Sequence, residues 1–269
     1  MRVVYGVNPV RELLRAGGEG VAELWIGTGA ERGKVGAELA HLARGRGAKV
    51  REAPRQKLDR LAGSEHHQGV VAVVGDYRYR ELEELVELAR TRGEPALLVV
   101  LDGIEDPQNL GAIIRSAHAL GAHGVVIPRD RAAAVTPTVA KVSAGAVEHC
   151  AVARVTNLAQ ALEALKQMGL WTVATDAGAD TDLSRVDLTV ATALAIGSEG
   201  GGLRPLVRRS CDLEARIPMG GSVGSLNASA SAAIALYEAV RQRGAGGRAP
   251  APGREVGGRR SPKPEGSHA

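Results

Sequence analysis

The sequence predicts an α/β protein made of two successive α/β units, and three observations carry that prediction. Short, continuously apolar runs such as Val70–Val74, Leu97–Leu101 and Gly124–Ile127 alternate with helical stretches along most of the chain. From Leu97 onward these runs are apolar on both faces, as expected of a mainly parallel sheet covered by helices on each side. Between the two alternating blocks, residues 76–94 turn charged and amphipathic. Aromatic residues make up 2% of the chain and phenylalanine is absent, so the cores must be built from Ala, Val, Leu and Ile.

Taken in order, residues 5–15 read as a helix starting near Asn8 and Pro9, a capping type followed by a proline suited to a first turn. Glu23–Ile26 reads as a strand, 31–46 as a helix, Lys49–Arg51 as a short strand and Lys57–Ala62 as a short helix. His66-His67-Gln68-Gly69 leads into the strand Val70–Val74. With no third ligand nearby, the two histidines read as loop residues and no metal site is expected. Residues 1–76 are therefore expected to form one small domain and 77–94 a linker with a helix in its middle. A second domain, 95–243, holds strands at Leu97–Leu101, Gly124–Ile127, 152–155, 171–175, Leu194–Ile196 and Glu214–Ile217. Helices are expected at 109–120, 136–146, 157–168 and 227–241. In the first of these, Leu110, Ile113, Ile114, Ala117 and Leu120 form the packing stripe.

The net charge of +4 has to be located before it means anything. Residues 244–269 carry Arg248, Arg254, Arg259, Arg260 and Lys263 against Glu255 and Glu265, in a Gly/Pro-rich stretch expected to be disordered. The rest of the chain is nearly neutral, with one basic cluster between Arg44 and Arg60 that is either a solvated face or an RNA contact. Cys150 and Cys211 show no metal spacing and suggest a reducing compartment. The start MRVVYGVNPV lacks the layout of a secretion signal, and no apolar run reaches membrane-spanning length. A cytoplasmic location with no membrane contact is expected.

Chemistry concentrates near the C-terminal end. Gly197-Ser-Glu-Gly-Gly-Gly-Leu203 follows one apolar run, and a second glycine-rich loop, 219–227, follows another and opens into a helix of small residues. Glycines allow positive φ and close approach of backbone to a ligand, and a helix start offers free N–H groups. A small-molecule pocket made mostly of backbone is expected there. Glu199, between glycines, is a candidate buried carboxylate, with an exposed loop acid as the alternative. Ser225 and Asn227 either cap the helix or complete the pocket. Asn109 reads as a cap at the start of helix 109–120, and Arg115 falls off the packing stripe, so it is either a surface charge or aimed at a site. No G-x-G-x-x-G follows a strand and no Walker lysine accompanies Gly200–Gly202, which argues against a Rossmann oxidoreductase and a P-loop.

Three stretches read together say more. Asp106-Pro-Gln-Asn-Leu-Gly-Ala-Ile-Ile-Arg115, Ile196-Gly-Ser-Glu-Gly-Gly-Gly-Leu203 and Ile217-Pro-Met…Ser225-Leu-Asn-Ala-Ser229 resemble, in order and spacing, the three motifs of the SpoU/TrmH class. These are RNA 2′-O-ribose methyltransferases of the SPOUT superfamily. Tyr5-Gly-Val-Asn-Pro-Val10 and His67-Gln-Gly-Val-Val-Ala72 resemble the L30e-like, ribosomal-protein-like RNA-binding domain of one subgroup, which methylates a guanosine in large-subunit (23S) ribosomal RNA. The resemblance spans roughly residues 3–243.

The resemblance implies S-adenosylmethionine as methyl donor, a C-terminal trefoil knot, no metal, ribosomal RNA as partner and a homodimer formed through the catalytic domain. It places Gly197, Ile217 and Leu226 against the cofactor and makes Asn109, Arg115, Glu199, Ser225 and Asn227 the catalytic set. Arg115 would activate the ribose hydroxyl, as a base or by stabilising the alkoxide; a guanidinium is a poor base in water, so the second role is the less demanding. Asn109 would position Arg115 and the ribose, and Glu199 would hold the polar network. Ile234, Tyr237 and Val240 face either a partner or the core. The alternatives are a transfer-RNA ribose 2′-O-methyltransferase, a ribosomal-RNA resistance methyltransferase of the same class, and a non-catalytic RNA-binding protein.

Overall fold

The computed structural model describes residues 1–17, 20–30, 33–221 and 224–245. The basic tail expected to be disordered lies, from residue 246 on, outside them. The first lobe runs β1 (Arg2–Tyr5), α1 (Val7–Arg15), β2 (Val21–Gly27), α2 (Lys34–Gly45), β3 (Lys49–Ala53), α3 (Arg55–Ala62) and β4 (Val70–Val74). Its sheet has the order β1-β4-β2-β3, with β4 antiparallel to both neighbours and β2 parallel to β3. β1 was not foreseen from the sequence. Four residues directly before a helix carry little periodicity of their own, and the partner that makes them a strand lies at Val71–Val74. Gly6 (φ 96) makes the turn from β1, so α1 starts at Val7 and Pro9 falls within its first turn.

Helices α1 and α2 cover one face of this sheet over Val4, Leu24, Ile26 and Ala72. The short α3 packs on the other, where Leu58 meets Tyr5, Trp25 and Val71. His67, expected as an ordinary loop residue, is buried. Its Nδ1 accepts from Gly69 N–H at 2.9 Å, so in the neutral ring Nε2 donates to Asp59 Oδ1 at 2.8 Å and ties α3 to β4.

The second lobe begins within the segment expected to be a linker. α4 (Leu82–Arg92) buries Leu85, Val86 and Ala89 against the strands that follow. Then come β5 (Leu97–Leu101), α5 (Pro107–Ala119), β6 (Gly124–Pro128), α6 (Pro137–Val142), β7 (Val152–Val155), α7 (Leu158–Gln167), β8 (Trp171–Thr175), β9 (Thr192–Ile196), α8 (Pro205–Arg209), β10 (Leu213–Ala215) and α9 (Ala228–Ala245). The six strands form one wholly parallel sheet in the order β10-β8-β9-β5-β6-β7. Alternate residues of each strand face opposite cores. Val99, Val125 and Leu194 meet α5, α6 and α9, whereas Leu98, Val126 and Ala193 meet α4, α7 and α8.

Two helix boundaries differ from expectation for visible reasons, and one helix is new. α5 starts at Pro107 because Asp106 caps it, accepting from Gln108 N–H at 2.9 Å, so Asn109 is not the cap. α6 ends at Val142, not near 146, because Ala144 (φ 53) and Gly145 (φ 87) turn the chain left-handed. The five-residue α8 was not foreseen.

Two consecutive residues clamp the lobes together. Glu148 accepts from Arg2 Nη2 at 2.9 Å to both carboxylate oxygens, and His149 Nε2 lies 2.9 Å from Glu12 Oε2. The Tyr79 hydroxyl accepts from Val135 N–H, and Arg80 N–H donates to Val152 O, so the connecting chain is docked on the second lobe. Among the described residues no helix is long and apolar enough to cross a membrane, and no group of three or more metal-ligating side chains forms.

Candidate active site

The carboxyl ends of four parallel strands converge on the two glycine loops, the position where open α/β sheets bind ligands. After β9 the chain makes a tight hairpin in which Ser198 N–H donates to Gly202 O at 3.1 Å and Gly202 N–H returns to Ser198 O at 2.9 Å. This hairpin requires glycine. A Cβ on Gly197 would collide with the backbone of Gly202 and Leu203, and Gly200 and Gly202 both hold positive φ. A cavity of about 300 Å³ lies beside it, walled by Thr175, Gly197, Ile217, Met219, Ser225 and Leu226. The three residues assigned to the cofactor therefore share one cavity, and Ser225 joins them there.

The catalytic candidates meet at its edge. Asn227 Nδ2 donates to Asn109 Oδ1 at 3.0 Å and lies 3.2 Å from Glu199 Oε2. Its Oδ1 faces the other way, accepting from Ser229 N–H at 2.8 Å and from Ser229 Oγ at 2.6 Å. Asn227 thus caps α9 and binds the first two motifs together, so the two roles weighed for it coexist. Ser225 makes no capping bond to a described residue; it is exposed and lines the cavity.

Two expectations change. Glu199 is exposed rather than buried, because it sits at the tip of the 198–202 hairpin and is held by the Asn227 amide. Arg115 does not reach this cluster within one chain. It is exposed on α5, six residues beyond Asn109 and so on another face of the helix, and makes no ion pair with a described residue.

A pair not singled out in the sequence also holds the site. Asp102, at the end of β5 and 1% exposed, accepts from Arg204 N–H at 2.8 Å and from Arg204 Nε at 2.7 Å. It pins the far end of the glycine hairpin to the central strand. A lone aspartate closing a wholly apolar run was the available signal. Burial pushes the thiols of Cys150 and Cys211 up to about 12, so neither is a thiolate at neutral pH.

The SpoU rRNA Methylase family matches residues 96–237, and the family described as RNA 2′-O ribose methyltransferase substrate binding matches residues 3–80. A Bacillus subtilis (strain 168) protein named as a TrmH family tRNA/rRNA methyltransferase, YacO, is 45% identical over 240 residues, covering 89% of this chain and 95% of that protein. The SpoU methyltransferase AviRb from Streptomyces viridochromogenes, in complex with the cofactor AdoMet, is 33% identical and superposes with a TM-score of 0.76 over 90% of each chain. An AdoMet-bound rRNA methyltransferase from Sinorhizobium meliloti gives 26% identity and a TM-score of 0.75, over 89% of this chain and 87% of that one.

Fold and site define an S-adenosylmethionine-dependent RNA methyltransferase. The chain belongs to the SpoU rRNA methylase family, with the family's substrate-binding unit ahead of its catalytic lobe. The cavity fits the cofactor: Ile217, Met219 and Leu226 offer an apolar wall for an adenine, and the glycine hairpin offers backbone groups to its polar edges.

Proposed function

We propose that this chain methylates the ribose 2′-hydroxyl of a guanosine in large-subunit ribosomal RNA. The observation that carries the reading is the folded first lobe, clamped by Arg2–Glu148 and Glu12–His149 onto the catalytic lobe. A structured substrate-binding unit of this size suits a folded ribosomal RNA segment. Residues 1–76 serve as that unit, 95–243 as the catalytic domain and 77–94 as the connection, in a cytoplasmic enzyme.

S-adenosylmethionine, when bound, supplies an electrophilic methyl group on a sulfonium. The chain's own work is then alignment and charge. Gly197, Ile217 and Leu226 hold the cofactor through backbone and apolar contacts. Asn227, oriented by its bonds to Asn109, Glu199 and the start of α9, fixes the mouth of the cavity, and Ser225 completes the pocket. Arg115 stabilises the charge developing on the 2′-oxygen, the role that suits a guanidinium.

Arg115 reaches a cavity only if a second copy brings it there. A homodimer through α5 and α9 does so, and exposed Ile234 and Tyr237 on α9 (41% and 59%) supply an apolar face for it. The knot is part of the same reading. Leu183 N–H donates to Arg216 O and Leu188 N–H to Gln242 Oε1, and this contact of the 181–190 segment with Arg216 and α9 supports it.

The test offers labelled S-adenosylmethionine with protein-free large-subunit ribosomal RNA and, separately, total transfer RNA. Label in ribosomal RNA alone is expected; label in transfer RNA alone overturns the substrate.

A further inference from the structure

We infer that the cleft between the lobes, walled by Gln68 and Lys141, binds a nucleotide of the RNA substrate, with Lys141 on a phosphate and the amides of Gln68 and Asn8 on a base edge. This rests on the RNA methyltransferase reading and adds to it an RNA subsite outside the methyl-transfer cavity.

A cavity of about 450 Å³ opens between Asn8 at the start of α1, the loop at Glu65–Gln68, and Lys141 and Ala144 at the end of α6. A second, also about 450 Å³, shares Glu65 and Gln68 and continues to Thr28 and Arg55. Either has the volume of an ordinary small-molecule site. The walls carry a surplus of hydrogen-bond donors. Gln68 Oε1 accepts from Val7 N–H at 3.0 Å and Asn8 Oδ1 accepts from Arg11 Nη1 at 3.0 Å. Each oxygen is engaged, and each NH₂ group has no partner among the described residues. Lys141 makes no ion pair with a described residue, and its ammonium lies 5.5 Å from the centroid of the Tyr5 ring. Arg55 adds a second cation, and Glu65 is the one carboxylate lining either cavity. Free donors with excess positive charge match a ligand rich in acceptors, which phosphate oxygens and the edges of an unpaired base supply.

The backbone points to the same place. Three non-glycine residues among those described have positive φ, and two of them, Gln68 (φ 53) and Ala144 (φ 53), stand on opposite walls of this cleft. Such conformations persist only where the surroundings enforce them, and they gather at ligand sites. The enforcing contacts are visible. Gly145, beside Ala144, seats directly on Glu12 and Pro9 of α1, where a Cβ would lie 2.7 Å from Glu12 Cβ. Behind Lys141, α6 abuts α5 so closely that a Cβ on Gly111 would lie 2.7 Å from Val142 Cβ. A nucleotide held by Lys141 is thereby fixed relative to the helix that carries Asn109 and Arg115.

The test uses the full chain and protein-free large-subunit ribosomal RNA containing scattered 4-thiouridine. Photocrosslinks to peptides spanning 65–68 or 141–144 are expected, and crosslinks confined to other peptides overturn the subsite. In equilibrium binding to the same RNA, Lys141→Ala should weaken affinity about tenfold and lower the salt slope by about one, with Lys141→Arg restoring both. Arg209→Ala, at an exposed arginine of α8 on the other lobe and outside both cavities, should change neither. S-adenosylmethionine binding, unaltered in all three variants, reports that each is folded. Wild-type binding matched by Lys141→Ala in affinity and slope overturns the subsite alone. A wild-type chain that binds no large-subunit ribosomal RNA overturns the ribosomal-RNA reading and the subsite with it.

Discussion

Asn227 donates to Asn109 across 3.0 Å of space and 118 positions of sequence. The same amide lies 3.2 Å from Glu199, so one side chain joins all three motif stretches. Asn227→Ala should lose about 1 kcal/mol of stability through the missing α9 cap. It should lose far more in methyl transfer, because Asn109 and Glu199 then have nothing between them. Thermal denaturation and turnover measured on the same preparation separate the two effects; a loss of rate no larger than the loss of stability explains would show a cap and nothing else.

Arg115 stands apart from that cluster in one chain, exposed and unpaired with any described residue. Arg115→Ala should abolish methyl transfer while leaving S-adenosylmethionine affinity nearly unchanged, as titration calorimetry and a turnover assay together would show. If a second copy supplies the arginine, mixing Arg115→Ala with Asn227→Ala chains should restore part of the activity. Wild-type turnover in Arg115→Ala removes its assigned role.

Asp102 makes two short bonds to Arg204 from a buried position. Asp102→Asn retains the shape but loses the charge-assisted bond to the guanidinium, a cost of about 1.5–3 kcal/mol. The glycine hairpin that walls the cofactor cavity loosens, so cofactor affinity should fall while RNA affinity holds. Calorimetry against both ligands checks this, and equal losses for both would point to general unfolding.

Acid should weaken the fold before any carboxylate titrates. Burial and the neighbouring His149 lower the pKa of His118, and burial and the Arg92 charge lower that of His123, from an ordinary value of about 6.5. The unfolded chain therefore binds protons first. Stability is full above about pH 6.5 and declines as pH falls through it. A melting temperature followed from about pH 8 to about pH 5.5 should drop, less steeply in His118→Gln. A midpoint that rises on acidification contradicts the assignment.

What the sequence revealed and what it hid have a common physical origin. The glycine loops were legible because glycines that must hold positive φ, and small residues opening a helix, are local signals. Ile217 and Leu226 carry no such signal and were singled out only through the resemblance to the SpoU/TrmH motifs. The cap of α5 was misassigned because Asp106 and Asn109 are both capping types, and the proline at 107 decides in favour of Asp106. The exposure of Glu199 depends on a hairpin closed by backbone bonds four residues apart, which composition does not report. The Asp102–Arg204 pair spans 102 positions, and β1 needs a partner about seventy residues away, so neither leaves a pattern within one window of sequence. The docking of Tyr79 and Arg80 was masked in the same way, since a charged connecting segment looks alike whether free or fixed.

Methyl transfer to the ribose oxygen of a guanosine is read out by nucleoside mass spectrometry. Protein-free large-subunit ribosomal RNA is incubated with the enzyme and isotopically labelled S-adenosylmethionine, digested to nucleosides and resolved. Label is expected in 2′-O-methylguanosine, with the adjoining phosphodiester resistant to alkali. Label on a nucleobase, or on the ribose of a different nucleoside, would contradict it.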